Sequence, residues 1–278
     1  MKEIRVGHSP DADDAFMFYA IAHRKVDLGQ YQLVDVVEDI ESLNKRALSG
    51  ELEATAISAA VYPQVAKDYR VLSCGGSIGR GYGPIVVARE KISVGDLVGK
   101  RVAIPGPYTT AYLLFQIYAP RCEAVQMDFD SVMGAVQSGQ VDAGVVIHEG
   151  QITFAETGLF KILDLGEAWD KDTRLPIPLG VDVVNRGLGE QVAEDLFRIL
   201  HDAICYALDH EDEALDYAMK YGRGVDREIC RRFVRMYVNQ DTVQMGIEGR
   251  KALEKMYQLA SDRGLIQSVP ELDIVGLK

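Results

Sequence analysis

Residues 101–118 read RVAIPGPYTTAYLLFQIY, and this stretch contains the pattern that decides the fold. An apolar, partly β-branched run ending at Ile104 predicts a strand that leads into the turn Pro105-Gly106-Pro107. Thr109 or Thr110 can then cap a helix that runs to Tyr118. A strand, a tight turn and a helix are the parts of a β-α-β unit, so the stretch predicts an α/β fold.

The same alternation continues on both sides of this stretch. Apolar runs predict further strands at 3–7, 32–37, 54–58, 71–72, 85–88, 124–127 and 143–147. Helical spacing of apolar residues predicts helices through 16–21, 40–48, 62–69 and 131–136. Strands that alternate with helices at this spacing indicate parallel sheets. From Gly189 onward the pattern is helical, which predicts a helical C-terminal segment.

The order of these elements predicts two α/β lobes with a ligand cleft between them. A glycine-rich stretch at 75–83 separates two sets of β-α units, and the extended stretch at 175–181 indicates a return crossing. With crossings near 85–90 and 177–186, we predict a larger lobe of 1–87 plus 186–278, onto which the C-terminal helices pack. Residues 88–185 form the predicted smaller lobe. A cleft between two lobes is a natural site for a small ligand.

The composition excludes several classes of protein. The 278 residues are 47% hydrophobic and 26% charged, which rules out a disordered chain and a collagen. A net charge of -12 disfavours nucleic acid and anionic membranes as partners, although a local pocket can still bind a small anion. The absence of an evident secretory signal or of about 18 consecutive apolar residues predicts a cytoplasmic protein. The four cysteines lack the spacing of a zinc site, and a disulfide is not expected.

Polar side chains follow the first and third predicted strands, where loops of open α/β sheets face the ligand crevice. Ser9, Asp13 and Asp14 stand at the start of a predicted helix. One acidic side chain is enough to cap this helix, so the others can bind a ligand hydroxyl or fix the loop. Ser58 ends the third strand and can either cap the next turn or donate to a ligand.

Three later segments provide further candidates. Thr109 and Thr110, with the amides of the helix that follows, can bind a carboxylate without a positive charge or can simply cap the helix. His148 ends a buried strand and is a candidate acid or base, or a structural hydrogen-bond partner. Arg80 and Gly81 belong to the glycine-rich stretch; Arg80 can clamp a carboxylate or remain a surface charge.

Several motifs together resemble the 1,4-dihydroxy-6-naphthoate synthases, which are enzymes of the futalosine route to menaquinone. They span nearly the whole chain, and their combination is more specific than any one of them. The motifs are Ser9-Pro10 with Asp14, Phe16 and Phe18-Tyr19-Ala20; Glu38-Asp39-Ile40-Glu41-Ser42-Leu43-Asn44; Gly79-Arg80-Gly81-x-Gly83-Pro84; Thr109-Thr110-Ala111-Tyr112; Ile147-His148-Glu149; Leu175-Pro176-Ile177-Pro178-Leu179-Gly180; and Tyr237-Val238-Asn239.

The resemblance implies a periplasmic-binding-protein-like (type II) fold used as a cytoplasmic enzyme. It implies cyclic dehypoxanthine futalosine, a carboxylate, as the substrate and 1,4-dihydroxy-6-naphthoate as the product. By the same resemblance, His148 removes the proton that starts ring opening and carbon–carbon cleavage. The Thr109-Thr110 turn, Ser58 and the first loop orient the substrate. The resemblance implies no metal and no organic cofactor, and we expect neither a nucleic-acid nor a membrane partner.

The first loop departs from the family pattern Ser-Pro-Cys-Pro-Asn-Asp-Thr. Asp13 stands in place of the asparagine and Ala15 in place of the threonine. A second carboxylate near a carboxylate substrate repels it unless Asp13 is protonated or paired, so the departure can indicate a different ligand. Two alternatives stay open: a non-catalytic solute-binding protein for a small carboxylate or aromatic acid, and a chorismate dehydratase-like enzyme. The oligomeric state is not predicted.

Overall fold

The computed structural model describes residues 1–222 and 224–277. Strands in this part of the chain are β1 (Lys2–His8), β2 (Tyr31–Val37), β3 (Ala54–Ser58), β4 (Tyr69–Leu72), β5 (Ile78–Gly79), β6 (Ile85–Ala88), β7 (Arg101–Ile104), β8 (Glu123–Gln126), β9 (Ala143–Val146), β10 (Phe160–Asp164), β11 (Ile177–Pro178), β12 (Gly180–Asn185) and β13 (Ile274–Val275). Its α-helices are α1 (Ala12–Ala22), α2 (Ile40–Leu48), α3 (Tyr62–Val65), α4 (Thr110–Tyr118), α5 (Val132–Ser138), α6 (Gly150–Thr153), α7 (Leu165–Thr173), α8 (Glu190–Asp209), α9 (Glu211–Ala218), α10 (Arg227–Tyr237), α11 (Gln240–Val243) and α12 (Gly246–Asp262).

The described strands form two larger sheets, and we call the parts of the chain built on them the large lobe and the small lobe. The sheet of the large lobe has the order β13-β4-β12-β3-β1-β2. The sheet of the small lobe has the order β10-β6-β9-β7-β8. The two-lobed α/β architecture therefore agrees with the prediction from the sequence.

Both sheets are mixed, which corrects the prediction of parallel sheets. In the large lobe, β1 runs parallel to β2 and β3, but β12 runs antiparallel to β3 and β4. In the small lobe, β7 runs parallel to β8 and β9, but β6 runs antiparallel to β9 and β10. The reversed strands β6 and β12 are those that follow a crossing, because there the chain enters a sheet from the other lobe.

The two crossings lie side by side. The short strands β5 and β11 pair antiparallel, with Ile177 opposite Gly79. Strand β6 already belongs to the small lobe and β12 to the large lobe. The crossings therefore come before Ile85 and before Gly180, a few residues earlier than the predicted boundaries at 87/88 and 185/186.

Local differences from the predicted elements have identifiable causes. The helix predicted at 62–69 is a 3-10 turn, Ala59–Val61, followed by the single turn α3. It ends early because Tyr69 begins β4, and its buried hydroxyl donates to the carbonyl of Leu52 at 2.8 Å. The pair β10 and α7 was not predicted; Asp164 caps α7 by accepting from the amides of Gly166 and Glu167.

Helices α8, α9 and α10 pack against the large lobe, whereas α12 packs mainly on β11 and on α4 of the small lobe. One core joins residues of α1, α8, α9 and α10 with residues of β1 and β4. Helix α1 is buried almost throughout, including the polar residues of its first turn. This packing fixes the start of α1 at the gap between the two lobes, where the candidate site lies.

Candidate active site

A cavity between the lobes collects most of the polar residues that the sequence analysis selected. Its empty volume is about 760 Å³, including open solvent at the mouth. The residues that line it are Ser9, Asp11, Asp13, Asp14, Ile40, Ala56, Ile57, Ser58, Gly75, Ser77, Pro84, Thr109, Thr110, Ala111, Ile147, His148, Gln151, Leu179, Gly180, Val181, Phe233 and Tyr237. Among these residues there are three aspartates but no lysine or arginine, so an anionic ligand must be bound by hydrogen bonds rather than by a cation.

The loop between β1 and α1 is fixed by its own hydrogen bonds. The amide of Ser9 donates to Asp14 Oδ2 at 2.6 Å, and the amide of Asp11 donates to Ser9 Oγ at 3.2 Å. Burial raises the pKa of Asp14, although the neighbouring His8 and the Ser9 amide oppose this shift. Asp14 thus has the structural role of holding the loop, one of the alternatives that the sequence left open.

Asp13 faces the cavity from the first turn of α1. Its side chain is buried, and burial raises its pKa well above the ordinary value. The nearby carboxylates of Asp14, Asp11 and Glu149 raise the pKa further. In such surroundings the neutral form is favoured, so Asp13 can act as a hydrogen-bond donor toward a ligand.

The turn between β7 and α4 forms the opposite side of the cavity. Thr109 caps α4: its Oγ1 accepts from the Tyr112 amide at 3.3 Å and donates to the Gly106 carbonyl at 2.8 Å. Thr110 Oγ1 accepts from the Ala60 amide at 3.1 Å and donates to the Leu179 carbonyl at 2.6 Å. Both hydroxyl protons are therefore committed to the protein.

The groups of this side that are still available for a ligand are backbone amides. The amides of Thr110 and Ala111 belong to the first turn of α4 and have no acceptor within the helix. They carry the partial positive charge of the helix N-terminus, which favours a carboxylate. The Thr109-Thr110 turn can thus bind an anion through its backbone, while its hydroxyls hold the turn in place.

Ser58 lies at the end of β3 beside this turn. Its Oγ accepts from Asn44 Nδ2 at 3.0 Å, and its amide donates to Asn44 Oδ1 at 2.8 Å. Because Asn44 occupies an acceptor position of the hydroxyl, the Ser58 proton can point into the cavity. Asn44, part of the resembling motif at 38–44, is a supporting residue that the sequence analysis did not select.

His148 follows β9 with an unusual backbone conformation. Its φ of 51° lies in the left-handed region, which is uncommon for a residue with a side chain and is often found at functional sites. Its Nδ1 lies 3.3 Å from Glu149 Oε2 and 3.4 Å from the Gly150 amide nitrogen. The imidazole also packs edge-on against Phe129, with 4.8 Å between ring centroids.

The contacts of the imidazole define which of its nitrogens can act as a base. Two contacts compete at Nδ1: the Gly150 amide donates to it over a long 3.4 Å, and the Glu149 carboxylate at 3.3 Å accepts from it when Nδ1 carries the proton. Because the contact with a carboxylate is the stronger of the two, it favours the tautomer with the proton on Nδ1. In the described part of the chain, the buried Nε2 has no hydrogen-bond partner. Nε2 then carries the free lone pair and can accept a proton from a ligand in the cavity.

Gln151 and Tyr237 join the lobes at the far end of the cavity, and neither was selected from the sequence. One orientation of the Gln151 side-chain amide satisfies its hydrogen-bonding groups. In this orientation its oxygen accepts from the His148 amide at 3.1 Å, and its nitrogen donates to Tyr237 Oη at 2.8 Å and to the Gly83 carbonyl at 2.7 Å. Burial raises the pKa of Tyr237. Tyr237 belongs to one of the resembling motifs, whereas Gln151 has no signal beyond its place one turn after His148.

Arg80 and Gly81 do not line the cavity, which corrects their selection as substrate-binding residues. The Arg80 guanidinium pairs with Asp241 at 2.7 Å and with Glu248 at 3.0 Å. The side chain is 54% exposed, and Gly81 forms an exposed turn with φ of 75°. Two carboxylates of the C-terminal helices, distant in sequence, therefore direct Arg80 away from the site.

Comparison with known proteins places the chain in a family. A family model described as menaquinone biosynthesis matches residues 4–262. A 1,4-dihydroxy-6-naphthoate synthase of Thermus thermophilus is 40% identical over 270 residues, which cover 97% of this chain and 98% of that protein. The chain belongs to the menaquinone biosynthesis family. The family resemblance inferred from the sequence motifs is thereby confirmed.

Solved structures agree with the family assignment and with the predicted fold class. A protein of Archaeoglobus fulgidus superposes with a TM-score of 0.92 at 49% identity, covering 95% of this chain and 98% of that one. A Candida albicans protein described as having the generic periplasmic binding protein fold gives a TM-score of 0.66 at 13% identity, covering 100% of this chain and 99% of that one. The second likeness concerns the fold alone, and it confirms the periplasmic-binding-protein-like architecture.

Two further properties concern only residues 1–222 and 224–277. None of the helices there combines the length and apolar character that a membrane crossing requires. No group of three or more His, Cys, Asp or Glu side chains there is placed to hold a metal ion.

Proposed function

We propose that this member of the menaquinone biosynthesis family is a cytoplasmic 1,4-dihydroxy-6-naphthoate synthase that acts on cyclic dehypoxanthine futalosine. The observation that carries the proposal is the position of His148: in a chain of this family it lines the cavity between the lobes, and its buried Nε2 has no hydrogen-bond partner among the described residues. Relatives such as the Thermus protein bear the name of this enzyme.

In the proposed reaction His148 is the base. The Glu149 carboxylate, 3.3 Å from Nδ1, holds the proton on that nitrogen and stabilises the imidazolium that forms when Nε2 takes a proton from the substrate. The electron pair released at the substrate drives ring opening and carbon–carbon cleavage, and formation of the aromatic product supplies the driving force. The rigid turn at His148 fixes the direction from which the proton is removed.

The remaining side chains orient the substrate. The amides of Thr110 and Ala111 and the hydroxyl of Ser58 provide donors for the substrate carboxylate. Ser9, Asp13 and Asp14 lie on the acidic side of the cavity, where an ionised aspartate would repel this group, so the substrate hydroxyls face them. In its neutral form Asp13 donates to a substrate oxygen, which reconciles the departure in the first loop with a carboxylate substrate.

The test is to incubate the purified protein with cyclic dehypoxanthine futalosine and to detect 1,4-dihydroxy-6-naphthoate by mass. We expect product from the parent chain and a loss of about 10²–10⁴-fold in kcat for His148→Ala, with substrate binding retained. His201→Ala, on the outer face of α8, is the matched control and is expected to keep full turnover.

Three results count against parts of this proposal. Unchanged turnover in His148→Ala removes His148 from the mechanism. Saturable binding without product in the parent chain favours the solute-binding alternative, or a related enzyme with another substrate. Neither binding nor product refutes the proposed substrate.

A further inference from the structure

The carboxylate of Glu41 connects the two lobes at a point that the proposed mechanism does not use. Glu41 lies in the first turn of α2, between β2 and β3 of the large lobe. Its Oε2 accepts a hydrogen bond of 3.2 Å from the amide of Tyr108 in the small lobe. Tyr108 immediately precedes Thr109 and Thr110, so this contact acts on the turn that forms one side of the cavity.

The backbone opposite Glu41 is shaped to receive it. A Cβ atom placed on Gly106 would lie 2.4 Å from Glu41 Oε2, 2.6 Å from its Cδ and 2.8 Å from its Cγ. These distances are too short for nonbonded atoms, so the end of the Glu41 side chain rests directly on the Gly106 backbone. Any other residue at this position would displace the carboxylate, because the close approach requires the absence of a side chain.

Burying the Glu41 carboxylate costs free energy. Glu41 is 5% exposed, and burial raises its pKa despite the Tyr108 amide and Lys45. Its buried Oε1 has no hydrogen-bond partner among the described residues and makes only a loose ion pair of 3.7 Å with the half-exposed Lys45 ammonium. One amide donor and one loose ion pair offset only part of the hydration that this carboxylate loses on burial.

We propose that Glu41 is a positioning residue for the reaction: received between the Gly106 backbone and the Tyr108 amide, it holds the Thr109-Thr110 turn of the small lobe against the large lobe. The kinetic part of this inference rests on the proposed function. The structural part does not, since the hydrogen bond exists without substrate. Glu41 acts through the turn and does not touch the cavity.

The first experiment measures amide hydrogen exchange at Tyr108 in the free protein. Loss of the acceptor in Glu41→Ala is expected to speed exchange at Tyr108 about tenfold or more, with β7 protected as in the parent. Glu41→Gln keeps a carbonyl oxygen that can accept and should retain most of the protection. Arg46→Ala, on the same helix but paired with Glu38 and Glu51, is the matched control and should leave exchange at Tyr108 unchanged.

The second experiment compares Glu41→Ala, Gly106→Ala and the double variant in turnover of cyclic dehypoxanthine futalosine. Each single change breaks the same contact, so we expect KM to rise about tenfold in each, with a smaller change in kcat. The double variant should be no worse than the single ones, because the second change then has no contact to break.

The outcomes separate this inference from the proposed function. Unchanged exchange at Tyr108 in Glu41→Ala, or KM increases that multiply in the double variant, overturns the role of Glu41. A fall in thermal stability with an unchanged KM assigns Glu41 a structural role only and also overturns the inference. If Glu41→Ala does not fold, Gly106→Ala tests the same contact from the other lobe. Absence of turnover in the parent chain refutes the proposed function, while the exchange experiment still decides the role of Glu41.

Discussion

Two helices begin at the cavity, and their first turns have opposite chemistry. Helix α1 follows β1 in the large lobe and carries Asp13 and Asp14 in its first turn. Helix α4 follows β7 in the small lobe and begins with the neutral Thr109 cap and Thr110. Each N-terminus offers unpaired amides and a partial positive charge. At α1 the aspartates oppose an incoming anion when they are ionised, whereas the first turn of α4 contains no acidic side chain.

The difference shows that a helix N-terminus is only a potential anion site, and that the side chains around it decide whether a ligand can use it. In this cavity we expect the contrast to orient a carboxylate ligand toward α4, because the lining residues contain no lysine or arginine to do so. Substitutions on the two sides of the cavity should therefore affect substrate binding to different extents.

Thr110→Val should disturb the turn at the start of α4 and thereby weaken substrate binding. Valine has nearly the shape of threonine, but it leaves the Ala60 amide and the Leu179 carbonyl without their partner, so the turn should shift. We expect KM to rise by about ten- to a hundredfold. Steady-state kinetics with Thr110→Ser, which keeps the hydroxyl, as the control measures the effect. Equal KM values in Thr110→Val and the parent would show that the turn does not bind the substrate.

Asp13→Asn, at the start of α1, should change the pH dependence of kcat/KM. Burial and the neighbouring carboxylates raise the pKa of Asp13, so the parent is neutral at low pH and acquires a negative charge as the pH rises through that pKa. The charge then repels the substrate carboxylate. Asparagine cannot ionise, so the ratio of kcat/KM between variant and parent should increase several-fold toward alkaline pH. A constant ratio between pH 6 and 9 would mean that Asp13 does not titrate in this interval.

Asp182→Asn tests how far the acidic character of the α1 side extends behind the cavity. Asp182 lies in β12, and its pKa is raised by burial and then by Asp14. Because the folded protein holds this proton more tightly, the free energy of unfolding falls as the pH rises above the unfolded pKa of 3.8. The variant should be more stable than the parent at pH 8, and the gain should shrink at pH 5. Each kcal/mol of added stability corresponds to a Tm higher by roughly 2–4 °C. Thermal melts at both values decide; a gain that does not grow with pH contradicts the expected sign.

Arg80→Ala should have the smallest effect, because we expect no cationic side chain to bind the substrate on either side of the cavity. The guanidinium is half exposed and pairs with Asp241 and Glu248 outside the cavity. Exposed ion pairs contribute about 0–1 kcal/mol, so we expect a small loss of stability and a KM within about twofold of the parent. Thermal melts and steady-state kinetics measure both. A KM raised by tenfold would restore Arg80 as a carboxylate clamp.

The sequence predicted most of the polar residues that line the cavity because local chemistry marks them. All the selected residues that line the cavity stand at the carboxyl end of a strand or within six residues after it: Ser9, Asp13, Asp14, Ser58, Thr109, Thr110 and His148. The prediction follows from chain direction alone, since the carboxyl ends of neighbouring parallel strands face the same crevice. Their roles in the reaction stay predictions.

The residues that the sequence missed or misplaced depend on contacts between distant segments. Gln151 reaches Tyr237 on α10, and Glu41 reaches Tyr108 in the other lobe. Arg80 turns to Asp241 on α11. The prediction of parallel strands was wrong for the same reason. Local periodicity predicts a strand at 85–88, but only the crossing between the lobes determines that this strand runs antiparallel to β9.

A cavity without lysine or arginine also determines how an anionic ligand arrives. The chain carries a net charge of -12, so its long-range field slows the approach of an anion instead of steering it. Dissolved ions screen this field over about 10 Å at 0.1 M, whereas the short hydrogen bonds from backbone amides are hardly affected. Added salt therefore speeds association and leaves dissociation nearly unchanged. For an anionic ligand we expect the affinity of this protein to rise with ionic strength, the reverse of the behaviour of sites built on lysine and arginine.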